Sequence, residues 1–106
     1  NGTEIIAGGR SVLDQLGIEI EELDDRLSAK LGIAGGIEVT AVDRSGLIRR
    51  TTDIRDGFII TMVNDLEILD ERSFLDLLAT VDGKVLFEGF YPGDRHTTLY
   101  AFRMDG

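Results

Sequence analysis

The sequence predicts a small, β-rich α+β domain of five to six strands and two helices, and three stretches carry that prediction. Phe58 to Val63 is apolar at five of six positions, as suits a strand buried on both faces. Phe74, Leu77, Leu78 and Val81 recur at i, i+3, i+4 and i+7, the spacing of one helix face. Lys84 to Tyr91 and His96 to Met104 are strand-like runs joined by Pro92-Gly93-Asp94. Pro followed by Gly suits a type II turn, so the pair reads as a hairpin.

Taken in order, Asn1 to Ser11 holds Gly2, Gly8 and Gly9 and shows no sustained period. Residues 1–11 therefore read as a linker, with Thr3 to Ile6 able to pair as a short strand, and the folded domain is expected over 12–106. Leu16 to Leu23 sets Leu16, Ile18 and Ile20 against Gly17, Glu19 and Glu21, the alternation of a half-buried strand with one charged face. Asp24 caps a short helix in which Leu27 and Leu31 stack at i, i+4, and Gly32 stops it. Gly35-Gly36 opens a second strand, Ile37 to Val42, bounded by Asp43 to Gly46. Leu47 to Ile54 keeps neither period and reads as a loop with at most one helical turn. Beyond the run Phe58–Val63, Asn64-Asp65 is a turn signal and Glu67-Ile68 a brief further strand. The helix Asp70 to Val81 takes Asp70 as N-cap, with Glu71 near its positive end.

A chain of 106 residues is one domain by length and can bury a modest core without disulfides or metals. Its apolar fraction of 42% describes an ordinary globule, and no apolar run approaches the roughly 18–20 residues that cross a bilayer. The first residue is Asn1, and neither a basic n-region nor an apolar h-region follows, so the chain is expected to be a fragment of a longer protein. Twenty acidic against eleven basic side chains give a formal charge of −9. Such a surface repels nucleic acid and anionic membranes, so neither is an expected partner; the acidity serves first as a solubility device. With no cysteine, disulfides and thiolate chemistry are excluded, which fits an extracytoplasmic home.

Catalysis fails on inventory. His96 is the one histidine, and no serine sits in Gly-x-Ser-x-Gly or in a Gly-Asn/Asp-Ser-Gly-Gly setting. Ser45 and Ser73 read as a turn residue and a first-turn helix residue. An aspartic-protease half-site is excluded because Arg44 interrupts Asp43-Arg44-Ser45-Gly46 where Asp-Thr/Ser-Gly is needed. Glu21, Glu22, Asp24 and Asp25, or Asp53 with Asp56-Gly57, supply oxygens without the spacing of a calcium loop. Gly35-Gly36 is no phosphate loop, since no Gly-Lys-Ser/Thr follows it. No cofactor, metal or catalytic residue is expected.

Two motifs remain. Asp56-Gly57, the apolar strand, Asn64-Asp65 and then a capped helix resemble the PDZ signature Gly-Asp-x-Ile-x-x-Ile-Asn-Gly. Phe58 stands where that family more often has Asp, and Asp65 where it has Gly. Leu16-Gly17-Ile18 resembles the apolar-Gly-apolar core of the loop with which PDZ domains hold a peptide's terminal carboxylate. Their order and spacing are similar to those in PDZ domains of bacterial HtrA-type (Do-like) serine proteases, which are circularly permuted relative to animal ones. The resemblance implies a partly open β-barrel or sandwich of five to six strands capped by two helices. It implies a non-catalytic, peptide-binding module of a periplasmic quality-control protease in a Gram-negative bacterium, its parent a trimer-based homo-oligomer. The lead-in and the final strand look more like the second, C-terminal PDZ, which in that family often serves assembly as much as substrate capture.

By the same resemblance the site is a groove. The strand Ile18 to Glu22, including Glu19 and Ile20, would be its open edge, and the helix from Glu71 its opposite wall. Amides around Leu16, Gly17 and Ile18 would receive the carboxylate, with Arg10 offsetting the charge of Asp14. Glu71, Leu75 and Leu78 would face the groove, and Phe74 and Leu77 the core. Glu71 would favour a basic or hydroxyl side chain in the peptide. Physical chemistry agrees that an edge strand gains backbone hydrogen bonds from an added strand. It agrees too that Gly17, lacking Cβ, lets backbone approach an anion. Plain core packing accounts for Leu16, Ile18, Leu75 and Leu78 equally well. The expected partners are peptide C-termini or unfolded segments, or else neighbouring PDZ and protease domains of the parent.

Overall fold

The apolar run expected as a central strand is the one on which the rest of the sheet is built. The computed structural model describes residues 12–104; the linker expected at 1–11 and the role expected of Arg10 lie outside them. The elements are α1 (12–16), β1 (Ile18–Glu22), α2 (Asp25–Leu31), β2 (Ile37–Val42) and α3 (Leu47–Thr51). They continue as β3 (Ile59–Val63), β4 (Leu66–Glu67), α4 (Glu71–Thr80), β5 (Gly83–Phe90) and β6 (Thr98–Met104). The strands form one antiparallel sheet of order β1-β2-β3-β5-β6, with β4 paired to β3. Along one side β3 runs beside β5, and along the other it is shared between β2 at Ile59 and Ile60 and β4 at Met62 and Val63. The sheet stays open, with β1 and β6 at its two edges. This is the α+β, β-rich, partly open architecture that the sequence implies.

Two single-turn helices join the two expected ones. Leu16, expected to start a strand, ends α1 instead and is fully buried. In the segment expected as a loop with at most one helical turn, α3 forms that turn with Ile48 buried, and the hydroxyls of Thr51 and Thr52 donate to the carbonyls of Leu47 and Ile48 at 2.7 Å. Elsewhere the local signals act as expected. The Asp24 and Asp70 carboxylates accept from the N–H groups of Leu27 at 2.8 Å and Ser73 at 2.7 Å. That bond from Ser73 holds the Asp70 carboxyl below its ordinary pKa. Asn64 and Asp65 both take left-handed φ, 51° and 67°, forming the two-residue hairpin turn between β3 and β4. Asp tolerates that conformation, so Asp65 can stand where the resembling family has Gly. Pro92-Gly93 forms its turn with Gly93 at φ 95° and the Asp94 N–H donating to the Tyr91 carbonyl at 2.9 Å.

The core gathers Phe74, Phe87 and Phe102 in successive ring contacts of 5.8 and 5.0 Å. Phe58 is fully buried, with Tyr91 and Tyr100 at ring distances of 5.1 and 5.0 Å. The two tyrosine hydroxyls share a hydrogen bond of 2.9 Å, and the Tyr91 oxygen also accepts from the Arg55 N–H at 3.0 Å. Burial first, and then the Tyr91 hydroxyl, push Tyr100 up to about 12.

Two predictions follow from this packing. An unfolded Tyr100 ionises near its ordinary pKa of 10, before the folded one does, so its contribution is complete below pH 10 and is lost as pH rises toward 12. Alkaline unfolding should therefore begin above pH 10 in the wild type and shift less with pH in Tyr100→Phe, followed by circular dichroism. Across β1 and β2, Glu21 lies directly opposite Glu38, with no ion pair to either among the described residues. Glu21→Lys should replace that repulsion with attraction worth about 0.5–1 kcal/mol, raising Tm by roughly 2–6 °C in low salt and by less in 1 M NaCl. An unchanged or lower Tm would contradict it.

Candidate functional site

Of the expected groove, β1 supplies an edge whose one partner strand among the described residues is β2. Ile18 is buried, Ile20 half-buried, and Glu19, Glu21 and Glu22 are exposed. The register slips between Glu19 and Ile20, a bulge that bends the edge. Packed over the same core is α4, whose buried residues Phe74 and Leu78 share a cluster with Leu16 and Ile18. At the far end of β1 the Glu22 carboxylate accepts the Glu71 N–H at 2.7 Å and so joins the two elements.

Burial on α4 runs differently from the sequence expectation. Leu78, expected to face the groove, is only 1% exposed, whereas Leu77, expected in the core, is half-buried, as is Leu75. The reason is the turn of the helix: Phe74 and Leu78, four apart, lie on one line and take the core face together. Leu16 at 0% and Ile18 at 5% are core residues as well. The side chains left accessible to a ligand are Glu19, Ile20, Leu75 and Glu71.

The loop at Gly17 also differs from expectation. Its N–H donates to the Leu13 carbonyl at 2.8 Å, closing the last turn of α1, and its carbonyl accepts the Asp43 N–H at 2.8 Å. An incoming carboxylate would compete with Leu13 for the Gly17 amide and would approach the negative, C-terminal end of a helical turn. Asp14 stands exposed on that turn. Beside it lies an open cleft of about 630 Å³ whose lining includes Leu13, Val42, Asp14, Glu19 and Asp43. Among the described residues two of its carboxylates, Asp14 and Glu19, have no hydrogen-bond or ion-pair partner, and that of Asp43 accepts from Ser45 at 3.1 and 3.2 Å. A cleft lined by three carboxylates and no basic side chain suits a neutral or cationic group better than an anion. Among the described residues no group of His, Cys, Asp and Glu is placed to hold a metal, and no helix is long and apolar enough to cross a membrane.

Sequence reasoning overlooked Glu22. Nothing in the alternation of Leu16 to Leu23 separates its carboxylate from those of Glu19 and Glu21, because its partner is forty-nine residues away.

Among solved structures, the chain is similar to the HtrA3 PDZ domain, whose crystal structure was determined bound to a phage-derived ligand (FGRWV). The TM-score is 0.69 at 24% identity, covering 83% of this chain and 81% of that one. No family model and no curated protein matches the sequence. The fold is that of a PDZ domain.

The Gly17 geometry generates a paired prediction. Gly17 and Gly32 share nearly the same left-handed φ, 75° and 76°. A Cβ on Gly17 would sit 2.5 Å from the Gly46 Cα, whereas one on Gly32 would meet nothing within 4 Å. Gly32→Ala should cost about 1 kcal/mol for its backbone alone, and Gly17→Ala at least about 1 kcal/mol more for the clash. Urea midpoints at unchanged m measure both. Equal losses would remove the close contact as a constraint.

Proposed function

We propose that this chain is a peptide-binding PDZ module of an HtrA-type serine protease. It takes C-termini or extended segments of unfolded proteins as a strand added to β1. The observation that carries the reading is the open edge of β1, set on one core with α4 in a PDZ fold. The HtrA3 domain's ligand ends in Val and carries Arg two residues earlier. In an added strand those two side chains point the same way. Here an apolar end would rest on Ile20 and Leu75, and a basic group two residues earlier would meet Glu71 at the start of α4.

The proposed parent is a Do-like, trimer-based protease of a Gram-negative periplasm, with this chain as its second PDZ domain. The two sequence motifs and the lack of cysteine support that parentage. Hydrolysis would belong to a protease domain elsewhere in the parent, and this chain would present substrate. A second reading, an assembly domain that binds neighbouring PDZ or protease domains, is favoured by one observation: the Gly17 amide is already bonded and its surroundings are acidic.

A library of C-terminal peptides screened against the chain separates the two. On the peptide reading, apolar C-termini are enriched and bind at micromolar affinity. Leu75→Glu then weakens the selected peptides about thirtyfold, on the order of 2 kcal/mol. Glu71→Lys shifts the preferred residue two before the end away from Lys and Arg, with little change in overall affinity, because that exposed position is screened. No enrichment, together with oligomers lost when the domain is deleted from the parent, would replace this reading with the assembly one.

A further inference from the structure

We propose that Glu22 sets how much of a peptide this groove reads. Its carboxylate holds the far end of the groove shut, so strand addition stops after about four residues. The inference rests on the peptide-binding reading above and adds a limit on ligand length.

The geometry is that of a tether between two walls. Glu22 closes β1, Glu71 opens α4, and the Glu22 Oε1 accepts the Glu71 N–H at 2.7 Å. Among the described residues this is the one hydrogen bond joining β1 to α4. The donor is a first-turn amide with no partner inside its helix, at the positive helix end, and the acceptor is an anion, a combination that strengthens the bond. Asp70 does not compete, because its carboxylate already takes the Ser73 N–H at 2.7 Å.

The tether leaves too little space for another strand. An extended glutamate reaches about 5 Å from Cα to its carboxylate oxygen, so the Glu22 Cα and the Glu71 nitrogen lie within about 8 Å. A strand laid beside β1 takes up about 4.8 Å, and a wall on its other side needs at least as much again, roughly 10 Å in all. While the bond holds, the chain cannot pass between these two points. Ile18 to Glu21 remain as the usable edge, and a longer ligand must turn out to solvent beyond them. Glu22 is exposed, so breaking the tether costs a few-fold in affinity rather than an absolute block.

A length series tests this. Labelled peptides of three to eight residues, all ending in the apolar sequence selected from the library, are titrated by fluorescence anisotropy against wild type, Glu22→Ala and Glu22→Gln. Wild-type affinity should rise up to four residues and then stay flat. Glu22→Ala should keep gaining through six or seven residues, ending about three- to tenfold tighter for the longest peptides. Glu22→Gln retains an oxygen that can accept the Glu71 N–H, so it should stay near the wild-type plateau.

Wild-type affinity that climbs steadily to eight residues would overturn the proposal, as would an unchanged plateau in Glu22→Ala. Glu22→Gln behaving like Glu22→Ala would also overturn it, because charge rather than the tether would then set the limit. In each case three- and four-residue peptides still bind, so the groove reading survives. If no peptide of any length binds, that reading fails and the length limit falls with it.

Discussion

At Gly17 and Gly46 two stretches of backbone touch with no side chain between them. A Cβ on Gly17 would lie 2.5 Å from the Gly46 Cα, and one on Gly46 would lie 2.6 Å from the Gly17 Cα. Beside the contact, the Gly17 carbonyl accepts the Asp43 N–H. Together they pin the start of β1 to the end of β2 and the start of α3. From that point Leu16 drops into the core behind the contact and Ile18 into the core ahead of it. The acidic side chains of β1 are left outward, and its edge away from β2 meets no other strand among the described residues. A bulkier residue at either glycine would move the whole edge strand, and with it any groove built on that strand.

Electrostatics then limit what the groove can take. Asp14, Glu19 and Asp43 rim the cleft beside α1, and Glu22 and Glu71 meet at the far end. The whole chain carries a formal charge of −9. On the proposed reading, affinity would come mainly from backbone hydrogen bonds along β1 and from apolar contact with Ile20 and Leu75. A terminal carboxylate would contribute little, because the Gly17 amide already serves Leu13.

Away from the groove, Phe58 shows how a departure from a motif can be absorbed. A polar residue at this place could meet solvent or a turn, but Phe58 is wholly buried and lies under Tyr91 and Tyr100. Arg55 completes the cluster, its guanidinium 4.8 Å from the centre of the Tyr91 ring and its amide bonded to the Tyr91 hydroxyl. Phe58 therefore ties the entry to β3 to the β5–β6 hairpin by aromatic packing and a half-buried hydroxyl pair.

The sequence by itself determined those features whose causes lie within one turn or one strand. Asp24 and Asp70 cap their helices, Asn64-Asp65 and Pro92-Gly93 turn the chain, and the apolar run before Asn64 becomes the central strand. Each depends on the φ preference or hydrogen-bonding reach of a few adjacent residues, which a linear reading can follow. The helix α1 escaped because five residues barely complete one turn and show no period to detect. Tertiary structure alone decided that the Gly17 amide closes a helix and that Leu78 rather than Leu77 takes the core. It alone decided that Glu22, among several similar acids, bridges to Glu71. Those outcomes depend on where the sheet order and the shared core set α1, β1 and α4 relative to one another, and the spacing of residues along the chain carries no record of that placement.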